Sequence, residues 1–177
     1  YYKTNATDTA NRTVNTIADV SANYNGEGAT GTASVTLGSY TRASGNYSTA
    51  IGRDVITTGT TAVGIGTNVS AFGNSSVALG NNAIAGYTKT ENSKIVPVGA
   101  TEGVAIGNAS AVESNYTVAI GGNAKVLRDT SDATKIKDSE SSVAIGASAK
   151  VEGAQYSVAL GLNANVKDSE SSVAIGT

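Results

Sequence analysis

Cysteine, histidine, methionine and tryptophan are all missing from the 177 residues, which contain a single proline and a single phenylalanine. Their absence removes thiol nucleophiles, imidazole bases and the Cys/His ligand sets of zinc sites. Disulfides are excluded too, so a chain exported to an oxidising compartment would need another source of stability. Charge is sparse and balanced: 14 acids against 12 bases give a net charge of −2. No basic face for nucleic acid or an anionic membrane is expected. No run of 18 apolar residues occurs, and Tyr1-Tyr2-Lys3-Thr4 has no apolar signal core. Any targeting or anchoring segment is therefore expected outside this sequence, with no direct membrane contact within it.

What is present is a repeat. The motif Ser/Thr-Val-Ala-Ile/Leu-Gly recurs nine times, ending at Gly38, Gly52, Gly66, Gly80, Gly107, Gly121, Gly146, Gly161 and Gly176. The steps between these glycines are 14, 14, 14, 27, 14, 25, 15 and 15. A period of 14 reads as one structural turn, and the long steps read as turns carrying insertions. Val and Ile alternate with Ala, the period-2 signature of a strand, and the following Gly permits a bend. A second alternation lies three and five residues past the glycine: Ala83 and Ala85, Ala124 and Val126, Ala149 and Val151, Ala164 and Val166. Each turn is then strand, bend, strand, bend. Such short strands fit a coil whose turns stack as parallel sheets. The fold class is an all-β parallel β-solenoid, and nine turns at about 4.8 Å each give a rod of roughly 45 Å.

The first strand has two uncharged faces, one of Val with Ile or Leu and one of Ala, with Thr36 and Gly64 as exceptions. A single lumen buries one face only, and the pattern is compatible with either. The other face forms an apolar stripe that calls for identical neighbours. The residues expected in core and oligomer packing are Val77, Leu79, Val104, Ile106, Val118, Ile120, Val143, Ile145, Val158 and Leu160. Replacing Ile120 or Ile145 with Asp is expected to prevent folding or assembly.

Nine copies of Ser-Val-Ala-Ile-Gly in register, with Ala-x-Ala or Ala-x-Val after them, resemble the YadA-like head of bacterial trimeric autotransporter adhesins. The resemblance spans residues 34–177. It implies a left-handed parallel β-roll, a homotrimer, and display at the bacterial surface from an outer-membrane anchor lying in sequence beyond this chain. It also implies a non-enzymatic adhesin for a host receptor or matrix protein. Relatives bind collagen-like or fibronectin-like ligands, or immunoglobulin-superfamily receptors such as CEACAMs.

Residues 1–33 lack the motif and are expected to cap the roll. Ala6, Ala10, Val14 and Ile17 fall at helical spacing, which leaves a short helix and an extended cap both open. The insertions lie near 86–101 and 127–138, and projecting loops are where recognition residues collect. The receptor-binding candidates are Tyr87, Lys89, Glu91, Lys94 and Pro97 in the first, and Arg128, Asp129, Asp132 and Lys135 in the second. Tyr116 and Tyr156 join them, because with Tyr47 they stand five residues before a motif glycine and share one edge of the rod. A plain solvated loop is the competing reading of each insertion.

Other patterns are declined. Gly26 to Gly31 matches G-x-G-x-x-G, yet no apolar strand precedes it and no helix follows. The Asn-x-Ser/Thr sites at Asn5, Asn11, Asn46, Asn68, Asn74, Asn108 and Asn115 are of the number that chance gives in so Asn- and Ser-rich a chain. Gly121-Gly122-Asn123-Ala124 breaks the calcium-binding nonapeptide, so no metal and no cofactor are expected. Lys137 to Gly146 repeats identically as Lys167 to Gly176, which makes Asp138/Glu140 and Asp168/Glu170 repeat chemistry. An acyltransferase of the left-handed β-helix type would need a six-residue period and a His, and an ice-binding solenoid would need columns of Thr. A structural spacer or self-associating module is the alternative to the adhesin.

Overall fold

The computed structural model describes residues 2–4, 28–91, 93–132 and 136–176. Nine parallel strands form the first sheet: Val35–Ser39, Thr49–Thr57, Val63–Ala71, Val77–Asn81, Val104–Ile106, Val118–Ile120, Val143–Ile145, Val158–Leu160 and Val173–Ile175. Motif pairs with motif, Val104 with Val77 and Val118, Ile120 with Ile106 and Ile145. The second sheet runs through Arg42–Ala43, the ends of Thr49–Thr57 and Val63–Ala71, then Ile84–Ala85, Ala111–Val112, Lys125–Leu127, Lys150–Glu152 and Asn165–Lys167. It too is parallel and in register. The chain is a β-solenoid of stacked rungs. The extended strand Tyr2–Thr4 pairs antiparallel with Val35 to Leu37 and covers the open edge of the first rung. The helical spacing of Ala6, Ala10, Val14 and Ile17 falls outside the described residues.

Alanine faces the lumen. Ala50, Ala78, Ala105, Ala119, Ala144 and Ala159 of the first sheet are fully buried, opposite Val55, Val69, Val112, Val126 and Val151 of the second. The core is as thin as the composition demands. Gly64 answers its neighbours: a β-carbon there would lie 2.8 Å from Val55 Cγ1 and 2.9 Å from Thr57 Cγ2. Thr36 takes the lumenal place of Ala in the first rung, and its buried hydroxyl has no hydrogen-bond partner among the described residues.

Val77, Leu79, Val104, Ile106, Val118, Ile120, Val143, Ile145, Val158 and Leu160 therefore point outward, half-buried or exposed. They are not the core of the single roll. The lumen is too narrow for branched side chains on both of its walls, so the smaller partner of each alternation turns inward.

The motif hydroxyl and the corner asparagine have structural duties. Ser34, Ser48 and Ser76 donate to the carbonyls of Gly31, Gly45 and Gly73 at 2.7 Å, closing the corner that leads into the first sheet. Thr117 does the same to Ser114 at 2.6 Å. Asn46, Asn74 and Asn115 accept the backbone N–H of Thr32, Thr60 and Thr101 in the neighbouring rung. These are sequon positions, so Asn46-Tyr47-Ser48, Asn74-Ser75-Ser76 and Asn115-Tyr116-Thr117 reflect corner chemistry and not chance. The residue between sits at positive φ, 57° at Tyr47, 54° at Ser75 and 58° at Tyr116, as does Tyr156 at 53° in the equivalent corner after Gln155.

Candidate functional site

Both insertions leave the roll at the same place in the repeat. The first follows Gly86, six residues past Gly80, and the second follows Leu127, six residues past Gly121. They project from one corner with a single plain rung, containing Glu113 to Tyr116, between them. Stacking thus brings together two segments about 40 residues apart in sequence.

The first insertion is an antiparallel β-ribbon, Tyr87–Glu91 against Lys94–Val98, which forms its own two-stranded sheet. Strand alternation puts Tyr87 and Lys89 with Val96 and Val98 on one face. Thr88 and Thr90 share the other with Ile95 and Pro97. The second face is uncharged, and Ile95 is 74% exposed. Pro97 lacks a donor and is tolerated because the strand lies at an edge. Lys89 and Glu91 pair at 2.8 Å, and both are about half exposed. That pair raises the Lys89 pKa but is worth little at such exposure.

The second insertion is gathered at its neck. Asp129 and Lys137 exchange backbone hydrogen bonds at 2.9 and 3.1 Å. The Asp129 carboxylate accepts the Ser131 N–H at 2.9 Å, which holds its pKa below the ordinary value. Lys137 Nζ meets Asp168 Oδ1 at 2.9 Å, tying the neck to a later rung. Asp132 is described and has partners, whereas Lys135 lies outside the described residues.

Between the insertions is a cleft of about 130 Å³, lined by Tyr87, Val98 and Gly99 of the ribbon root, Glu113 to Asn115 of the plain rung, and Arg128, Asp138 and Glu140 of the neck. Arg128 is one of its walls, its side chain only 15% exposed. Its guanidinium carbon lies 4.4 Å from the Tyr87 ring centroid, and its Nε donates to Asp138 Oδ1 at 2.8 Å. The main-chain N–H of Arg128 donates to Glu113 Oε2 at 3.2 Å. Asn115 Nδ2 donates to Glu140 Oε1 at 3.3 Å.

Of the residues singled out from sequence, the fold joins Tyr87 to Arg128 and sets the rest of the ribbon beside them. Tyr116 and Tyr156 stand in the corner column two rungs apart, 54% and 63% exposed. Glu113 escaped notice because its rung is uninterrupted, and Asn115 reads from sequence only as a chance Asn-x-Thr site. The signal was the plain 14-residue step between the two long ones, which places that rung against both insertions.

Burial pushes the Glu113 carboxyl above its ordinary pKa, against the lowering effect of the Arg128 N–H. A carboxyl whose pKa is higher folded than unfolded favours folding at low pH, and that contribution is lost as pH rises through the folded value. Ionised Glu113 thus costs stability at neutral pH. Glu113→Gln keeps an oxygen for the Arg128 N–H without the charge, and thermal melting is expected to rise by about 1–3 °C at neutral pH. No gain is expected well below the ordinary glutamate pKa of about 4.3. A lower melting point at neutral pH would show that the carboxylate earns more from its partners than burial takes.

The YadA head domain repeat matches residues 29–54, 58–83, 100–124, 139–164 and 154–177. The stretches it leaves out after residue 83 and after residue 124 hold the two insertions. No curated protein matches the chain significantly. Among solved structures, the crystal structure of the collagen-binding domain of the Yersinia adhesin YadA is similar, at 30% identity and a TM-score of 0.55. The match covers 76% of this chain and 69% of that one. With repeats matched over more than half its length, and on a solenoid of the same kind, the chain belongs to the YadA head family.

Proposed function

We propose that this chain is the head of a trimeric surface adhesin, in which three rolls pack through their outward Val and Ile/Leu columns. The head would be displayed at the bacterial surface, where its corner insertions bind an extracellular-matrix protein. The observation that carries assembly is the outer face of the first sheet, where Val35, Leu37, Ile51, Val63, Ile65 and their successors run uncharged for nine rungs. Leu37, Ile65 and Leu160 are each 39% exposed in a single roll. A continuous apolar stripe of this length is an interface in waiting.

The solved relative is a collagen-binding domain, which supports a matrix protein as the ligand class. An immunoglobulin-superfamily receptor such as a CEACAM is the finer alternative within the same adhesive role. The two insertions are the favoured surface because they depart from the plain repeat, stand beside each other and carry exposed side chains such as Thr88, Ile95 and Pro97.

The test is a binding array of collagens, fibronectin and receptor ectodomains, read with the parent chain and with a variant lacking Lys89 to Val98, masses being checked by light scattering. The deletion is expected to keep the trimer mass and to weaken binding by at least about tenfold, as loss of a binding hot spot does. Undiminished binding would move the site to the repeat faces. A trimer that binds none of the array would favour a spacer or self-associating module.

A further inference from the structure

Arg128 touches three parts of the molecule at once. Its guanidinium lies over Tyr87 at the root of the ribbon and its Nε holds Asp138 at the exit of the second insertion, while its main-chain N–H, which any residue here would keep, donates to Glu113 of the plain rung. The ribbon needs such support, because a lone two-stranded sheet is marginal in water. Its Tyr87 face is the supported one, with Tyr87, Val96 and Val98 half-buried, while Thr88, Thr90, Ile95 and Pro97 are exposed. A planar guanidinium can stack on an aromatic ring and donate in its own plane at the same time, which an ammonium cannot.

We infer that Arg128 is a positioning residue that joins the two insertions into one recognition surface for a protein ligand. The inference rests on the insertions being the binding surface, as proposed above. Without the clamp the ribbon would move against the neck of the second insertion, and a ligand touching both would bear the entropy of ordering the ribbon. The uncharged ribbon face and the neck of the second insertion are then presented together. Tyr116 stands beside them, on the corner of the rung between.

Amide hydrogen exchange and binding to a collagen-coated surface, measured on the full trimer, test this. In Arg128→Ala, ribbon amides of residues 87–98 are expected to exchange about tenfold faster while those of Val118–Ile120 stay as in the parent. Arg128→Lys, which keeps the charge beside Asp138 but loses the stack, should loosen the ribbon as well. Tyr87→Ala should match Arg128→Ala, and the double variant should add nothing further. Collagen binding in each is expected to fall to the level of the chain lacking Lys89 to Val98.

Unchanged ribbon exchange in both Arg128 variants overturns the clamp, whatever binding does. A loosened ribbon with full collagen binding overturns the recognition role, and if the ribbon deletion also binds fully, the insertion-borne site falls with it. Absence of collagen binding by the parent trimer likewise removes the recognition role and leaves Arg128 a structural clamp.

Discussion

Ala119→Asp is expected to prevent the chain from folding, whereas Ile120→Asp, one residue away, is expected to leave a folded roll that no longer assembles. Ala119 is fully buried in the lumen, between Ala105 and Ala144 of the adjoining rungs. A carboxylate there has no water and no cation, and burying it costs several kcal/mol, on the order of half the stability of an ordinary domain. Ile120 lies on the outer side of the same strand and is only half-buried. Asp at that place remains solvated in a single roll and is buried only when a neighbour covers the stripe. Circular dichroism and light scattering separate the two effects. Loss of the β signal in Ala119→Asp with a monomeric, β-rich Ile120→Asp is the expected pair of results. An Ile120→Asp chain that retains trimer mass would show that the Val and Ile columns are not the interface. Sequence alone predicted failure of folding or assembly for Ile120→Asp, and the outward direction of the side chain narrows this to assembly.

The second large effect is expected at the glycine that ends each motif. Gly66 has φ of 138°, a conformation open to glycine and closed to L side chains. A β-carbon at this position would overlap the carbonyl oxygen of Gly80 in the next rung. The same holds along the column, Gly38 against Gly52 and Gly52 against Gly66. Gly66→Ala therefore meets both a forbidden backbone and a backbone atom that cannot move without opening the stack. A loss of at least about 3 kcal/mol is expected, on the order of 10 °C in melting temperature. Gly122 is the control, since a β-carbon there meets nothing within 4 Å. Gly122→Ala is expected to stay within about 0.5 kcal/mol of the parent. Equal melting of the two variants would mean that rung spacing adjusts more freely than the glycine column implies.

Much of this was legible in the repeat. The 14-residue step gave strand, bend, strand, bend, and the solenoid followed because strands so short can bury themselves only by stacking. The Gly that closes the motif could be read as a bend, although its approach to the next rung, as of Gly66 to Gly80, and the bond from Ser48 to Gly45 could not. The asparagines were harder. Asn46, Asn74 and Asn115 look like random sequons until their side chains are seen accepting an N–H from the rung before. The candidate site was half visible: Tyr87 and Arg128 stood out because they lie in departures from the period, while Glu113 did not because its rung keeps the period.

Periodicity is a property of the chain and is fixed by the order of residues, so the sequence by itself determined the architecture, the number of motif-bearing rungs and the two places where the period is interrupted. Direction and proximity are properties of the folded object. Only the tertiary structure decided that Ala turns inward and Ile outward, because that choice depends on how much volume the opposite sheet already fills. It alone also set Arg128 on Tyr87, because a rung spacing of about 4.8 Å turns a separation of 41 residues into a side-chain contact.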